Sequence, residues 1–175
     1  VTFFLLVFGG AIGIYVMEAR FSFLGKSWHE ILFFSLFQSA ATRSGGLATM
    51  DISHFTDTTV LFMCILMFIG ASPSSVGGGI RTTTFALNLL ALFHFARGNK
   101  SVKIFKRELH QSDLMKSLVV TMVAVLLVLC STLILTATER HTLLEILFEV
   151  CSAFGTTGLS LGITADLSTT GKIVI

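Results

Sequence analysis

Charge is what this sequence has least of: Asp, Glu, Lys and Arg make up 13% of its 175 residues, against 53% hydrophobic residues, and the mean hydropathy is +0.86. That lies outside the range of soluble globular domains and makes a bilayer the expected solvent. The net charge is only +2, with no basic stripe interleaved with aromatics, so no nucleic-acid partner is expected. The three cysteines, Cys64, Cys130 and Cys151, stand singly in apolar surroundings without a CxxC pair or Cys/His ligand spacing. They are expected to pack as small hydrophobes, and no disulfide or zinc site follows. His29, His54, His94, His110 and His141 show no ligand spacing either. No nucleophile, base and orienting group can be assembled from the motifs, which leaves an enzyme the least favoured class. The first apolar run, residues 2–17, lacks a basic n-region and a small-residue cleavage site, so it reads as a spanning helix and not a signal peptide. The chain opens inside that run and closes where another begins, at residues 171–175, and therefore reads as a fragment.

What is present is a set of apolar segments. A spanning helix needs about 20 mostly apolar residues, so about three or four passes fit the length. The first run ends at Glu18-Ala19-Arg20, a second covers residues 56–95 with an interruption, and a third covers 114–137. Between the last two lie Arg97, Lys100, Lys103, Lys106 and Arg107, with Lys116 just inside the next helix. The positive-inside rule makes this loop cytoplasmic. The connections after the first and third spans then face outward, and each is followed by an apolar segment too short to cross. Residues 27–41 and 142–153 are about fifteen and twelve residues long, less than a bilayer requires. Both start on a capping box, Ser27-Trp28-His29-Glu30 and Thr142-Leu143-Leu144-Glu145, which places a hydroxyl and a carboxylate on the orphan N–H groups. They read as re-entrant pore helices.

After each short helix the sequence repeats itself. Ala41-Thr42-Arg43-Ser44-Gly45-Gly46-Leu47 aligns with Ala153-Phe154-Gly155-Thr156-Thr157-Gly158-Leu159. The repeated unit is helix, short helix, hydroxyl- and glycine-bearing loop, helix, a fold-level signal that outranks any single motif. Non-helical backbone at membrane depth is tolerated only where protein buries it or it lines a water-filled path. A row of backbone carbonyls can replace the hydration shell of a potassium ion without holding it too long. Glycine permits the dihedrals that turn carbonyls inward. The short helices also direct their partly negative C-terminal ends at a cation. Ser44, Gly45, Gly46 and Leu47, with Thr156, Thr157, Gly158 and Leu159, are the candidate filter residues, with K+ expected at the carbonyls around Gly46 and Gly158.

The second run is broken by Gly70-Ala71-Ser72-Pro73-Ser74-Ser75-Val76-Gly77-Gly78-Gly79, which holds the only proline of the sequence. Glycine and proline disfavour helix by about 1 and 3 kcal/mol each. A phosphate-binding loop is disfavoured, since the Gly-x4-Gly-Lys-Ser/Thr spacing is absent and no strand is expected before it. The break reads either as a functional loop or as a packing kink, and Arg81 either holds it or snorkels to the inner interface. Arg43 is read as bracing the filter through a buried carboxylate, Glu149 being a conceivable partner. Asp51, Asp57 and Asp166, just outside the filters, either concentrate cations or are solvated caps.

The ordered combination of Thr42 to Leu47, Gly70 to Thr84 and Phe154 to Leu159 resembles the membrane subunit of the bacterial Ktr/Trk/HKT potassium transporter family, nearest the Ktr type. The resemblance implies an all-α integral membrane fold of repeated helix, pore helix, filter loop and helix units, channel-like with pseudo-fourfold symmetry in the full protein. Residues 1–97 would be the third repeat, with a truncated first helix, pore helix 27–41, filter 42–49 and a broken second helix 56–95. Within that helix, residues 70–79 with Arg81 would be an intramembrane gate loop. Residues 98–112 would be a cytoplasmic linker. Residues 113–175 would be the fourth repeat, with first helix 114–137, pore helix 142–153, filter 154–161 and a truncated second helix. The implied function is potassium uptake across the bacterial cell membrane, with Na+ a candidate activator or symport ion and no covalently bound cofactor. The implied partners are lipid, a second copy in a homodimer, and a cytoplasmic ring of nucleotide-binding (KtrA-like) regulatory subunits. The alternative is a secondary transporter whose broken helix forms a midplane substrate site. The shared orientation of the two repeats favours the pore.

Overall fold

The structure is a computed structural model that describes residues 2–19, 21, 27–43, 45–47, 52–73, 75–98, 103–104, 107–108 and 110–175. Ser44, Ala48, Thr49, Asp51, Ser74 and much of the 98–112 linker lie outside them. The architecture is all-α: α1 (Thr2–Glu18), α2 (Trp28–Ala41), α3 (Asp57–Phe68), α4 (Thr82–Ala96), α5 (Gln111–Thr138), α6 (Leu143–Phe154) and α7 (Thr169–Val174), with short 3-10 turns at Ile52–His54 and Ile163–Ala165. Two-residue strands, β1 (Lys103–Ile104) and β2 (Arg107–Glu108), pair antiparallel in the linker, Lys103 opposite Glu108 and Ile104 opposite Arg107.

Among the described helices, α5 is the one long and apolar enough to cross a membrane. It has 28 residues, with a mean hydropathy of 2.9 over its most apolar window, and at 1.5 Å per residue it extends about 42 Å. Its ends exceed the apolar run because Gln111, Ser112 and Asp113 continue the helix into polar surroundings, with Asp113 in the first turn. Met122, Leu126, Leu129 and Leu133 on α5 are exposed. An exposed row of this kind would be a liability in water and is ordinary against lipid. The core lies between α3, α5 and α6, around Met63, Met67, Val128, Leu135, Ile146 and Phe148. Cys64 and Cys151 are buried there, while Cys130 faces outward.

The two short helices start on their capping boxes. The Ser27 N–H donates to the Glu30 carboxylate at 3.1 Å. The Thr142 N–H donates to Glu145 at 2.9 Å, and the Glu145 N–H returns to the Thr142 hydroxyl at 3.4 Å. α1 packs on α2 and α3, and α5 packs on α6 and α7, so each long helix shelters the short helix and the last helix that follow it.

A carboxylate ties each unit together. Glu18, buried at the end of α1, accepts from the Thr56 N–H and hydroxyl, both at 2.9 Å, and Thr56 is the N-cap of α3. Glu139, at the end of α5, accepts from the Ser168 N–H at 3.2 Å and from its hydroxyl, and Ser168 is the N-cap of α7. Thr56 and Ser168 are related by the same spacing as Gly46 and Gly158, so the hydroxyl partner of this contact keeps the register of the repeat, while Glu18 and Glu139 do not.

Candidate functional site

Each short helix unwinds at its C-terminal end into a loop whose amides turn back on it. After α2, the Thr42 N–H donates to the Gln38 carbonyl at 3.1 Å and the Gly45 N–H to that of Ala41 at 3.0 Å. After α6, the Gly155 N–H donates to Cys151 at 2.9 Å and the Thr157 N–H to Ser152 at 2.8 Å. The chain then passes through a left-handed glycine in both loops, Gly46 at φ 59° and Gly158 at φ 81°, a conformation that costs a residue with a Cβ about 1–2 kcal/mol.

The two loops adjoin. A Cβ built on Gly46 would lie 2.5 Å from the carbonyl oxygen of Thr157, and one on Gly158 would lie 3.7 Å from the Gly46 Cα. The Thr157 hydroxyl donates to the Thr42 carbonyl at 3.5 Å. Gly45, Gly46, Leu47, Thr156, Thr157, Gly158 and Leu159 thus belong to one cluster of irregular backbone. Leu159 is buried and Leu47 is exposed.

The break between α3 and α4 reaches the same place. It extends over residues 69–81, slightly beyond the glycine-rich stretch, because Ile80 and Arg81 join the loop. Its ends are pinned together: the Ile80 N–H donates to Phe68 at 3.0 Å and the Ala71 N–H to Gly78 at 3.3 Å, as in a compact Ω-type loop. Arg81 donates to the Pro73 carbonyl at 2.6 Å. Arg43, buried beside the first loop, donates to the carbonyl of Ile69 at the other end of the break. The Gly78 N–H donates to the Thr156 hydroxyl at 2.6 Å, and a Cβ on Gly78 would lie 2.6 Å from the Phe154 carbonyl oxygen. The rings of Phe68 and Phe154 stack there at 5.6 Å between centroids. Val76 stands fully exposed at the other side of the loop.

The acidic residues separate in position. Asp57 occupies the first turn of α3 and Asp166 closes the second 3-10 turn. Glu149 receives the Ser160 and Thr164 hydroxyls and the Leu161 N–H, so Arg43 and Glu149 go to different partners.

A family profile described as TrkH, cation transport protein, matches residues 3–175. The chain belongs to the TrkH family. It is 77% identical over its whole length to the Ktr system potassium uptake protein D of Bacillus subtilis, covering 39% of that protein. Over 82% of the chain it is 38% identical to the Ktr system potassium uptake protein B of the same species, covering 32% of it. It is 32% identical over 98% of the chain to the potassium/sodium uptake protein NtpJ of Enterococcus hirae, covering 39%. The chain therefore spans about two-fifths or less of the length of these curated relatives. TrkH proteins are membrane transport proteins, not enzymes, and the long apolar α5 accords with that.

In this TrkH chain, sequence reasoning singled out the candidate filter and loop residues but missed three contacts: Gly78 to Thr156, Thr157 to Thr42, and Glu149 to the turn after Gly158. The first two join residues 78 and 115 apart in sequence, whereas Glu149 meets its partners across the turn that ends α6, 11 to 15 residues on. Of the Glu18 and Glu139 contacts only the hydroxyl partners were traceable, because Thr56 and Ser168 fall in the register of the repeat and each opens a helix, whereas the two glutamates are out of that register.

Proposed function

We propose that the chain carries the third and fourth repeats of a potassium-translocating membrane subunit, in which Gly46 and Gly158 belong to adjacent segments of one selectivity filter. The observation that carries this reading is the pair of left-handed glycines at the ends of two short helices, set side by side with the backbone of each against the other. Carbonyls turned out of a helix end, close to its negative pole, suit a dehydrated monovalent cation. The names of the relatives, potassium uptake proteins of a Ktr system, support potassium as the ion and a further component as partner. NtpJ, named for both potassium and sodium, supports sodium as coupling or activating ion. In this reading residues 70–79 form an intramembrane gate beneath the filter, held by Arg81. A homodimer sits on the cytoplasmic nucleotide-binding ring in the bacterial cell membrane.

The experiment is potassium uptake by the full-length protein in cells lacking their own uptake systems. Gly158→Ser adds a Cβ at a φ of 81°, which strains the backbone at the proposed coordinating position. A raised KM for potassium with normal membrane insertion is expected, and Gly46→Ser should behave likewise. Unchanged potassium kinetics in both variants would remove the filter assignment.

A further inference from the structure

We propose that Glu149 is a positioning residue for ion selection: from behind the filter, its carboxylate fixes the segment that follows Gly158. This rests on the filter reading given above. Glu149 lies on α6 and is 4% exposed. One carboxylate oxygen accepts the Ser160 hydroxyl and, at 3.1 Å, the Leu161 N–H. The other accepts the Thr164 hydroxyl at 3.0 Å. Ser160 and Thr164 also lie 3.0 Å apart, and the Ser160 hydroxyl receives the Gly162 N–H at 2.9 Å. A single side chain of the pore helix thereby gathers the segment from Ser160 to Thr164, beginning two residues beyond Gly158.

A buried carboxylate is retained in an apolar setting only where donors satisfy it, and here three converge. They are charge-assisted bonds, stronger and more directional than neutral ones, so the segment they hold is tied to α6. The carboxylate borders a cavity of about 420 Å³ that Thr156, Gly158 and Ser160 also line. In the register that pairs Gly46 with Gly158, the position of Glu149 is taken by Phe37, which is 38% exposed, so α2 offers no carboxylate at that place.

Glu149→Gln preserves the shape but removes the charge and places an amide donor among groups that are themselves donors. Potassium and sodium uptake by the full-length protein with its partner would be measured for Glu149→Gln, Glu149→Asp and Gly158→Ser, alongside the amount of protein in the membrane. The expected result for Glu149→Gln is a rise of about tenfold in the potassium KM, the equivalent of one lost hydrogen bond to a charged group, with a fall in the potassium-over-sodium ratio. Glu149→Asp keeps the acceptor set and should fall between the glutamine variant and the parent. A glutamine variant with parental KM and ion ratio, however reduced in amount, overturns the proposal and leaves Glu149 a support of folding alone. An aspartate variant as impaired as the glutamine in both readouts also overturns it. A shift for Gly158→Ser with none for Glu149→Gln removes this proposal and leaves the filter standing. No shift in either removes both.

Discussion

Thr156 is the described residue other than glycine with a positive φ, 49°, and two hydrogen bonds account for its place. Its hydroxyl donates to the Gly155 carbonyl at 2.8 Å and accepts the Gly78 N–H at 2.6 Å. A left-handed threonine costs about 1–2 kcal/mol, so the conformation persists because the loop below and the turn beside it both use the hydroxyl. Leaving the Gly78 N–H without an acceptor costs about 1–3 kcal/mol. If the loop is the gate, that loss favours its departure from the filter. Thr156→Val is expected to raise potassium flux measured without the regulatory partner by a factor of about 5–30, the equivalent of one or two kcal/mol. Thr156→Ser retains the oxygen and should stay near the parent. Equal fluxes for valine and serine variants would show that the hydroxyl does not restrain the loop.

At the scale of the element, the break between α3 and α4 is the informative one. A packing kink needs only a lost hydrogen bond or two, whereas here about a dozen residues leave the helix path and return to it, Ile80 bonding back to Phe68. Arg43 and Arg81 hold the two ends through carbonyls. A loop pinned at its base, and joined beyond it to the loop after α6 by the Gly78 to Thr156 hydrogen bond, can move as a unit, and glycine makes a second conformation accessible at low cost. Deleting residues 74–79 should raise potassium flux and reduce its dependence on the partner while preserving the preference for potassium. Reduced flux in a normally inserted protein would make the loop structural. The break itself was legible in the sequence, because Pro73 and four glycines penalise helix residue by residue, and so were the two helix starts, because a capping box acts over three residues. Where the loop rests was not legible. The Gly78 to Thr156 contact joins segments that only the packing of α3 on α6 brings together, and Glu149 could be noticed in the sequence but not its partners.

For the whole molecule, the direction of the two units follows from the two glutamate contacts and the length of α5. Glu18 closes onto Thr56 and Glu139 onto Ser168, so both units join the end of their first helix to the start of their last on the same side. With 28 residues, α5 is about 42 Å long, enough to put its two ends on opposite sides of a hydrocarbon layer of about 30 Å. In the proposed topology, which follows the positive-inside rule, His110, the exposed N-cap of α5, lies in the cytoplasm at the end of the basic linker. His141, three residues past the last residue of α5, would then face outward with the start of α6. In a full-length protein with Cys64, Cys130 and Cys151 replaced by alanine, His110→Cys should react with a membrane-impermeant thiol reagent only in inverted or opened membranes. His141→Cys should react in intact cells. The opposite pattern would invert the topology and send both filter loops in from the cytoplasmic side. Labelling of both variants in intact cells would mean that α5 does not cross, and the parallel arrangement of the two repeats would fall with it.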